Sequence, residues 1–548
     1  MIIDYLDRSV AADLEADLCI VGAGPAGISI ARTFIGSKTR VCVVESGGFD
    51  PEGPTQQLCE GDSAGEQRVD AGRSRMRAFS GSSNVWGGGC IPLGSADLRA
   101  RDWVPHSGWP LRHADLEAYY RRARSECGIE SHDLGDGTFL TTPTLAPVRF
   151  DSGLLVNQVF VRSQVYFGEA YREELHKAAN ITILLHANLL ELLADSDGAR
   201  ITRARIGSIG GRRGWVNARQ FVLACGGIEN ARLLLLSNSV VSEGLGNRHD
   251  LVGRYFMDHP AASLGKLCRG SPDMLTEPYS RYWRKGQRPA YPELCLSEDV
   301  TQARRLLGGR VRPVAVEARV PAGVRAMREL RSLFSRPLRD QSMALDGQMV
   351  PATREPARAR RRSPARLALL GMQALLGFAD IAEAFALKRA GGAAVKTQHV
   401  ELVGYFEQAP NPASRITLGA EKDLLGQRKV CVDWRFTALD WHTYRTAGAL
   451  FGSELSRACG AHYDPAAWLD PRHGGPPQVV GTSHHMGTTR MSEDPRKGVV
   501  DHECKVHGVA NLYVMGSSVF PTGGWAFPTF TIVALSLRLA ERLRSQLP

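Results

Sequence analysis

The stretch that most constrains this chain is Leu18-Cys19-Ile20-Val21 followed by Gly22-Ala23-Gly24-Pro25-Ala26-Gly27. The first four residues read as a short, fully apolar strand, and Ile28-Ser29-Ile30-Ala31-Arg32 has helical spacing. In G-x-G-x-x-G the first glycine permits a tight turn, the second lets the backbone approach a pyrophosphate, and the third lets helix and strand pack closely. The helix N-terminus then offers free N–H groups to phosphate. A second apolar strand, Val41-Cys42-Val43-Val44, ends in Glu45, about twenty residues after the glycines, where an acid accepts a hydrogen bond from a ribose 2′-OH. The combination predicts a Rossmann-type dinucleotide-binding domain; a glycine-rich surface turn would not account for Glu45.

A chain of 548 residues has room for two or more structural units with ample core. Its 67 basic and 57 acidic residues give a formal charge of +10. Aromatic content is 7% and the arginines cluster in one region, a distribution that points away from nucleic acid. Eleven cysteines, an odd number without C-x-x-C pairs, predict reduced thiols and neither a disulfide framework nor a metal site. The N-terminus carries Asp4 and Asp7 where an export signal would carry basic residues, so the expected location is cytoplasmic.

From Ser46 to about Asp70 the chain reads as a polar loop. Arg77-Ala78-Phe79-Ser80-Gly81-Ser82-Ser83-Asn84-Val85-Trp86-Gly87-Gly88-Gly89 is dense in small residues that let main chain lie against a flat ligand and donate to it. Asn180 to Leu185 reads as a strand, and Phe221 to Leu223 repeats the pattern of apolar strand into glycines at Ala224-Cys225-Gly226-Gly227. Such strand ends meet at one crevice in a doubly wound sheet. Residues 295–366 hold the arginine excess, including Arg358 to Arg366, and Leu367 to Leu387 follows as one long apolar helix. A basic flank beside such a helix fits peripheral contact with a membrane or lipid surface through 354–387, the alternative being a lid or buried helix. Val400 to Phe406, Ser414 to Leu418 and Val430 to Trp434 suggest an antiparallel sheet in a second domain. Leu512 to Met515 is a further strand, and a helix from about Thr529 to Leu543 closes the chain.

Six of these stretches together resemble the glucose–methanol–choline (GMC) family of flavin oxidoreductases. They are Gly22 to Gly27 with Glu45, Gly81 to Gly88, Ser107-Gly108-Trp109-Pro110, Leu223 to Leu233, Leu251 to Pro260, and His484-His485-Met486-Gly487-Thr488 continuing through Gly498 to Asp501 into Leu512 to Pro521. The resemblance covers most of the chain outside roughly 265–395. It implies an α/β fold in which a Rossmann-type FAD-binding domain (1–150, 180–260 and 477–548) is interleaved with an antiparallel-sheet substrate domain (151–179 and 261–476, with an Arg-rich insertion at about 300–395).

It also implies FAD as cofactor, contacted by Gly22, Gly24, Pro25, Ala26, Gly27, Glu45, Ser46, Arg77, Ser82, Ser83, Asn84, Trp86, Gly87, Gly88, Leu189, Ala224, Cys225, Gly226, Gly516, Ser517, Pro528 and Thr529. Some sugar-oxidising relatives attach FAD through a histidine whose position here looks like Val85, so a dissociable flavin is expected. His484 would take the proton of a substrate hydroxyl while hydride leaves the carbon for flavin N5, with His485 as second candidate.

One departure matters. Where the family usually has a second His or Asn before Pro-Thr, this chain has Phe527-Pro528-Thr529, and a phenyl ring cannot hold a hydroxyl. Ser80 replaces a common glycine. The first reading is therefore an FAD-dependent dehydrogenase or oxidase acting on a CH–OH donor such as an alcohol, sugar or glycoside. The alternatives are an FAD enzyme with atypical or non-oxidative chemistry (lyase, decarboxylase, desaturase), with His485 or another residue filling in for Phe527, and a flavin-binding scaffold without turnover. Substrate, electron acceptor and oligomeric state are left open by the sequence.

Overall fold

The computed structural model describes the whole chain except Val10, 131–147, Arg149, Asp151, 276–278, 280–289, 318–319, 335–363, 390–396 and 474–478. Its centre is a six-stranded parallel sheet in the order Ile2–Asp4, Ile181–Leu185, Val41–Val44, Leu18–Val21, Gln220–Leu223, Leu512–Val514. The four inner strands are buried along almost their whole length, which is why they read as unbroken apolar runs without alternation. Helix Pro25–Thr33 packs on this sheet, and the last helix, Pro528–Arg544, packs against that helix.

Register decides where the strand ends fall. Val21 pairs with Val44 on one side and Leu223 on the other, and Leu223 pairs with Val514. Gly22, Glu45 and Ala224 therefore leave the sheet at one level, with Gly516 close behind. The connections run in opposite directions from Leu18–Val21, so a crevice opens there.

The second large sheet is antiparallel and eight-stranded. Its main path is His462–Pro465, Ala261–Cys268, Thr397–Phe406, Gly309–Glu317, Ala290–Leu296, Leu155–Arg162, Gly89–Cys90, and Val479–Val480 pairs with Ala261–Cys268. Two smaller sheets complete the fold: one contains Asn188–Ala194, Ile201–Gly207 and Arg213–Asn217, the other Arg415–Lys422, Arg428–Asp433 and Gly61–Ser63.

Three sequence expectations change. The stretch from Ser46 to Asp70 is not all loop: it contains helix Gly53–Gln57 and strand Gly61–Ser63, whose parallel partner is the distant Arg428–Asp433. A three-residue strand with a partner so far along the chain has no local signature. The strands at 400–406, 414–418 and 430–434 do not share one sheet; the first joins the eight-stranded sheet and the other two pair with each other beside Gly61–Ser63. The apolar segment 367–387 is two helices, Pro364–Leu376 and Phe378–Arg389, bent by 68° at Gly377. Gly377 breaks the run because its Cα lies against the backbone of Gly323, where any side chain would collide. No single helix among the described residues is long and apolar enough to cross a membrane, although the bent pair is so by length and composition. Arg354 and Arg358 to Arg362 lie outside the described residues. The eleven cysteines are all free thiols.

Candidate active site

A cavity of about 700 Å³ runs from the ends of the central parallel strands to the face of the antiparallel sheet. Its volume suits a cofactor or small-molecule site. At the parallel-sheet end Gly22 has φ +100°, and a Cβ there would press on the Ala224 carbonyl; one on Gly27 would strike the carbonyl of Gly22. Close packing of turn, helix and neighbouring strand requires glycine at both. Gly24, Gly87 and Gly226 differ, for no protein atom lies within 4 Å of the Cβ position at any of them. All three line the cavity, so the missing side chains leave room for a ligand and serve no protein packing. That cradle fits the diphosphate and ring system of FAD.

Glu45 also lines the cavity. Its Oε2 accepts from Ala23 N at 2.8 Å and its Oε1 from Gly47 N at 2.9 Å, so it braces the glycine turn from the adjacent strand. Burial raises its pKa, while the Gly47 and Ala23 N–H groups and Arg77 oppose that rise. Arg77 binds Glu229 at 2.8 Å, as do Arg75 and Arg232, each at 2.9 Å. Burial raises the Glu229 pKa, but these three guanidinium groups outweigh it and hold the carboxyl well below the usual range. Asn230 ties the crevice together: its Oδ1 accepts from Cys225 N at 2.8 Å, and its Nδ2 donates to Met515 O and Ser518 Oγ.

Ser46, Arg77, Ser82, Ser83, Trp86, Gly87, Gly88, Leu189, Ala224, Cys225, Gly226, Gly516, Ser517, Pro528 and Thr529 line the same cavity, with Gly22, Gly24, Pro25, Ala26, His484, His485 and Phe527. Gly27 and Asn84 do not. Gly27 is buried in the helix, and Asn84 donates to Phe79 O at 2.9 Å, tying its own loop. Val85 is buried against Met76 and Ala78. Ser80 holds the left-handed conformation (φ +84°) that glycine adopts more easily. Its hydroxyl accepts from Gly168 N at 2.9 Å and meets Ser83 Oγ at 2.6 Å, which holds it there.

At the other end the loop bearing His484 is held by Asp258. The carboxylate accepts from His259 N (2.7 Å), His484 N (2.8 Å) and Ser483 N (3.0 Å). His484 Nδ1 lies 3.2 Å from His259 Nδ1 and 3.1 Å from Thr482 Oγ1. Proton accounting fixes the tautomers. His259 Nε2 faces the carbonyl of Gly523 at 3.4 Å and must carry hydrogen, so its Nδ1 is a lone pair. The Thr482 hydroxyl spends its proton on His259 O or Asp258, so it too can only accept from His484. Nδ1 of His484 therefore holds the proton. Its Nε2 is left as a lone pair without a protein partner among the described residues. Burial drives the His484 pKa well below its ordinary value, with His259, Arg310 and His485 adding to the shift; burial likewise takes His259 down to about 4.

His485 stacks on Phe256 with ring centroids 5.7 Å apart, and its buried Nε2 has no hydrogen-bond partner among the described residues. Its charged neighbour is Arg75, on the cofactor side of the crevice. Phe527 presents its ring edge-on to His484 at 5.9 Å and to Phe160 at 4.9 Å, and the Arg310 guanidinium lies over it at 4.5 Å. No motif in the sequence assigns a role to Asp258, His259 or Thr482, and by composition Arg310 and Arg312 belong to the basic region at 295–366. A usable signal was present, since Arg310 and Arg312 stand two apart in a strand and so face the same way.

Residues 410–536 match the family model described as GMC oxidoreductase. Over nearly its full length the chain is similar to 6‴-hydroxyparomomycin C oxidase of Streptomyces lividus (23% identity, 98% of this chain and 92% of that one). It is similar in the same way to paromamine 6′-oxidase of Streptomyces fradiae (21% identity, 97% and 92%). Its fold is shared with the crystal structure of pyridoxine 4-oxidase from Mesorbium loti (TM-score 0.57, 18% identity, 97% and 99%). With the glycine cradle, the strand-end acid and the late histidine assembled around one cavity, the chain is similar to the GMC oxidoreductases, whose family model its residues 410–536 match.

Proposed function

We propose that this protein oxidises a CH–OH group of an alcohol, sugar or glycoside-like donor to a carbonyl, with His484 as the base. The observation that carries the proposal is the placement of His484 Nδ1 between Thr482 Oγ1 and His259 Nδ1: the proton assigned to Nδ1 from those partners leaves the Nε2 lone pair to take a proton in the cavity that His484 lines. A neutral imidazole accepts the hydroxyl proton, and burial keeps it neutral at working pH. Asp258 orients the ring through the loop backbone, and the proton on Nδ1 lets positive charge arriving at Nε2 spread toward Thr482 and His259. Bound FAD supplies the two-electron acceptor for the hydride that leaves the carbon.

Gly22 to Ala26 would hold the diphosphate, Glu45 the adenosine ribose, and Gly81 to Gly88 the ring side. The flavin is held without a covalent bond to position 85, since Val85 has no reactive atom and packs against Met76 and Ala78. The sugar-like donor class is supported by the names of the paromamine-type oxidases.

Phe527 favours a second reading, FAD-retaining chemistry without net oxidation, because its ring offers no hydrogen bond beside His484. Anaerobic mixing of the FAD-loaded enzyme with a panel of alcohols and sugars separates the two. Bleaching of the oxidised flavin absorbance supports oxidation. Product without bleaching supports the second reading, and silence across the panel refutes both.

A further inference from the structure

The substrate end of the cavity has an electrostatic bias that the family assignment does not require. Arg310 and Arg312 project from strand Gly309–Glu317 and share one carboxylate, Glu293 on the neighbouring strand Ala290–Leu296. Arg310 reaches Glu293 Oε2 at 2.8 Å and Arg312 reaches Oε1 at 2.9 Å. Two guanidinium groups on one carboxylate leave one positive charge uncompensated within this triad, and Arg162 lines the same wall.

Arg310 is 3% exposed, and its Nε is buried with no hydrogen-bond partner among the described residues. Such an atom in a low-dielectric wall is costly unless a ligand meets it or the guanidinium reorients toward one. Among the described residues the acids that line the cavity are Glu45 and Glu229, both at the cofactor end; Asp258, behind His484, is spent on backbone N–H groups and does not line it, so an amine-bearing donor would meet no carboxylate on the cavity wall beside His484. Tyr291 and Tyr405 complete this wall, the Arg310 guanidinium lying 4.3 Å over the Tyr405 ring.

Resting on the proposed oxidation of a CH–OH donor, we infer that the donor is an anion, a hydroxy acid, sugar acid or sugar phosphate whose charged oxygens are taken by Arg310 and Arg312. The fixed guanidinium forks suit paired carboxylate or phosphate oxygens. Arg310, which lies over Phe527 and whose charge acts on His484, also supplies the polar neighbour that Phe527 does not.

The test uses FAD-loaded enzyme and four probes of one skeleton, glucuronate, glucose 6-phosphate, glucose and glucosamine, with binding by calorimetry and flavin reduction measured separately. Both or one of the anions should bind at least about tenfold more tightly than glucose, glucosamine should bind worst, and salt should weaken the anions. Arg312→Gln, and Arg310→Lys as a second variant should Arg310→Met not fold, should lower anion affinity about 10- to 100-fold, as expected for a lost hydrogen bond to a charged group, and collapse the anion-to-neutral ratio. Which anion binds separates carboxylate from phosphate. Equal or tighter binding of glucose or glucosamine, no measurable anion binding, or a ratio unmoved by Arg312→Gln overturns the inference. Arg-dependent anion binding without flavin reduction by any probe leaves the inference standing and refutes the oxidation reading.

A separate observation concerns the bent helix pair. Helix Ala322–Phe334 backs it and buries Ala326 against Leu370 and Ala374, while the outer side stays bare. Leu375, Leu376 and Phe378, flanking the bend, are 77%, 83% and 68% exposed, and Met372 and Phe385 extend the patch. Contiguous apolar surface of this kind marks an interaction site. Arg325 and Arg331 are exposed on the backing helix, and Arg366 pairs with Glu329; by sequence the three helices carry six basic and three acidic residues, a basic excess complementary to an anionic surface. We propose that this face docks on an anionic lipid bilayer. The full-length holoenzyme should sediment with vesicles containing phosphatidylserine at low salt, less at high salt, and Leu376→Glu/Phe378→Glu should lower binding at least about tenfold. Absence of sedimentation, binding unaffected by the double variant, or a dimer in solution that the double variant dissolves would each overturn this proposal.

Discussion

Replacing Asp258 by alanine tests whether His484 is held from behind. The carboxylate is 2% exposed and accepts from the backbone N–H groups of His259, His484 and Ser483. Truncation leaves these donors facing a void the size of a carboxylate, each unpaired N–H costing about 1–3 kcal/mol. Three such donors sum to about 3–9 kcal/mol; a water admitted to the void recovers part of this, so the net loss is about 3–5 kcal/mol. Asp258→Asn keeps one carbonyl oxygen and should lose about 1–3 kcal/mol.

Rate should suffer as well. Ser483 sits at φ +64°, a conformation kept by the Asp258 bonds on either side of it; once released, the loop relaxes and His484 moves. A misplacement of about 1 Å is worth roughly a hundredfold in rate. Urea unfolding at fixed FAD, paired with anaerobic single-turnover flavin reduction, should rank wild type, Asn and Ala in that order by both measures. Flavin absorbance should be retained throughout. An alanine variant within about 1 kcal/mol and threefold of wild type would refute the claim that Asp258 positions the base.

His484→Ala should lower the flavin-reduction rate at least about a hundredfold with FAD still bound, read by stopped-flow absorbance. Because His484 must be neutral to accept a proton and burial favours the neutral ring, the acid limb of kcat/KM should lie below the ordinary histidine value of 6.5; a limb at or above it contradicts the assignment. Gly24→Ala adds a Cβ that has no protein atom within 4 Å beyond its chain neighbours, at an ordinary backbone conformation (φ −79°, ψ −174°). It should keep apo-protein stability within about 0.5 kcal/mol while FAD affinity, measured by titration, falls. Acid precipitation should release the flavin into the supernatant, as expected if no bond joins it to the chain.

The cofactor end of the site was legible because its requirements are local. A turn between strand and helix needs Gly22 and Gly27 wherever it occurs, and Glu45 follows at the spacing of one strand–helix–strand unit. His484 was legible through the pattern around it. The partners of His484 were not: Asp258 and His259 come from 225 or so positions earlier, and a buried His–His–Thr arrangement leaves no periodic trace. Strand Gly61–Ser63 was missed for the same kind of reason, since its pairing partner lies in another part of the chain.

The arginines show most plainly what each level decides. By composition, 295–366 is one basic region. In three dimensions Arg310 and Arg312 turn inward from a central strand of the antiparallel sheet to share Glu293, while Arg325, Arg331 and Arg366 stay on the outer helices. Sequence by itself determined the nucleotide-binding turn, the strand-end acid and the candidate base, because short-range steric and hydrogen-bonding rules act within a few residues. Only the tertiary structure decided which nitrogen of His484 meets Thr482 and His259 and that Arg310 and Arg312 reach the cavity wall, because both depend on side chains brought together by sheet register across hundreds of residues.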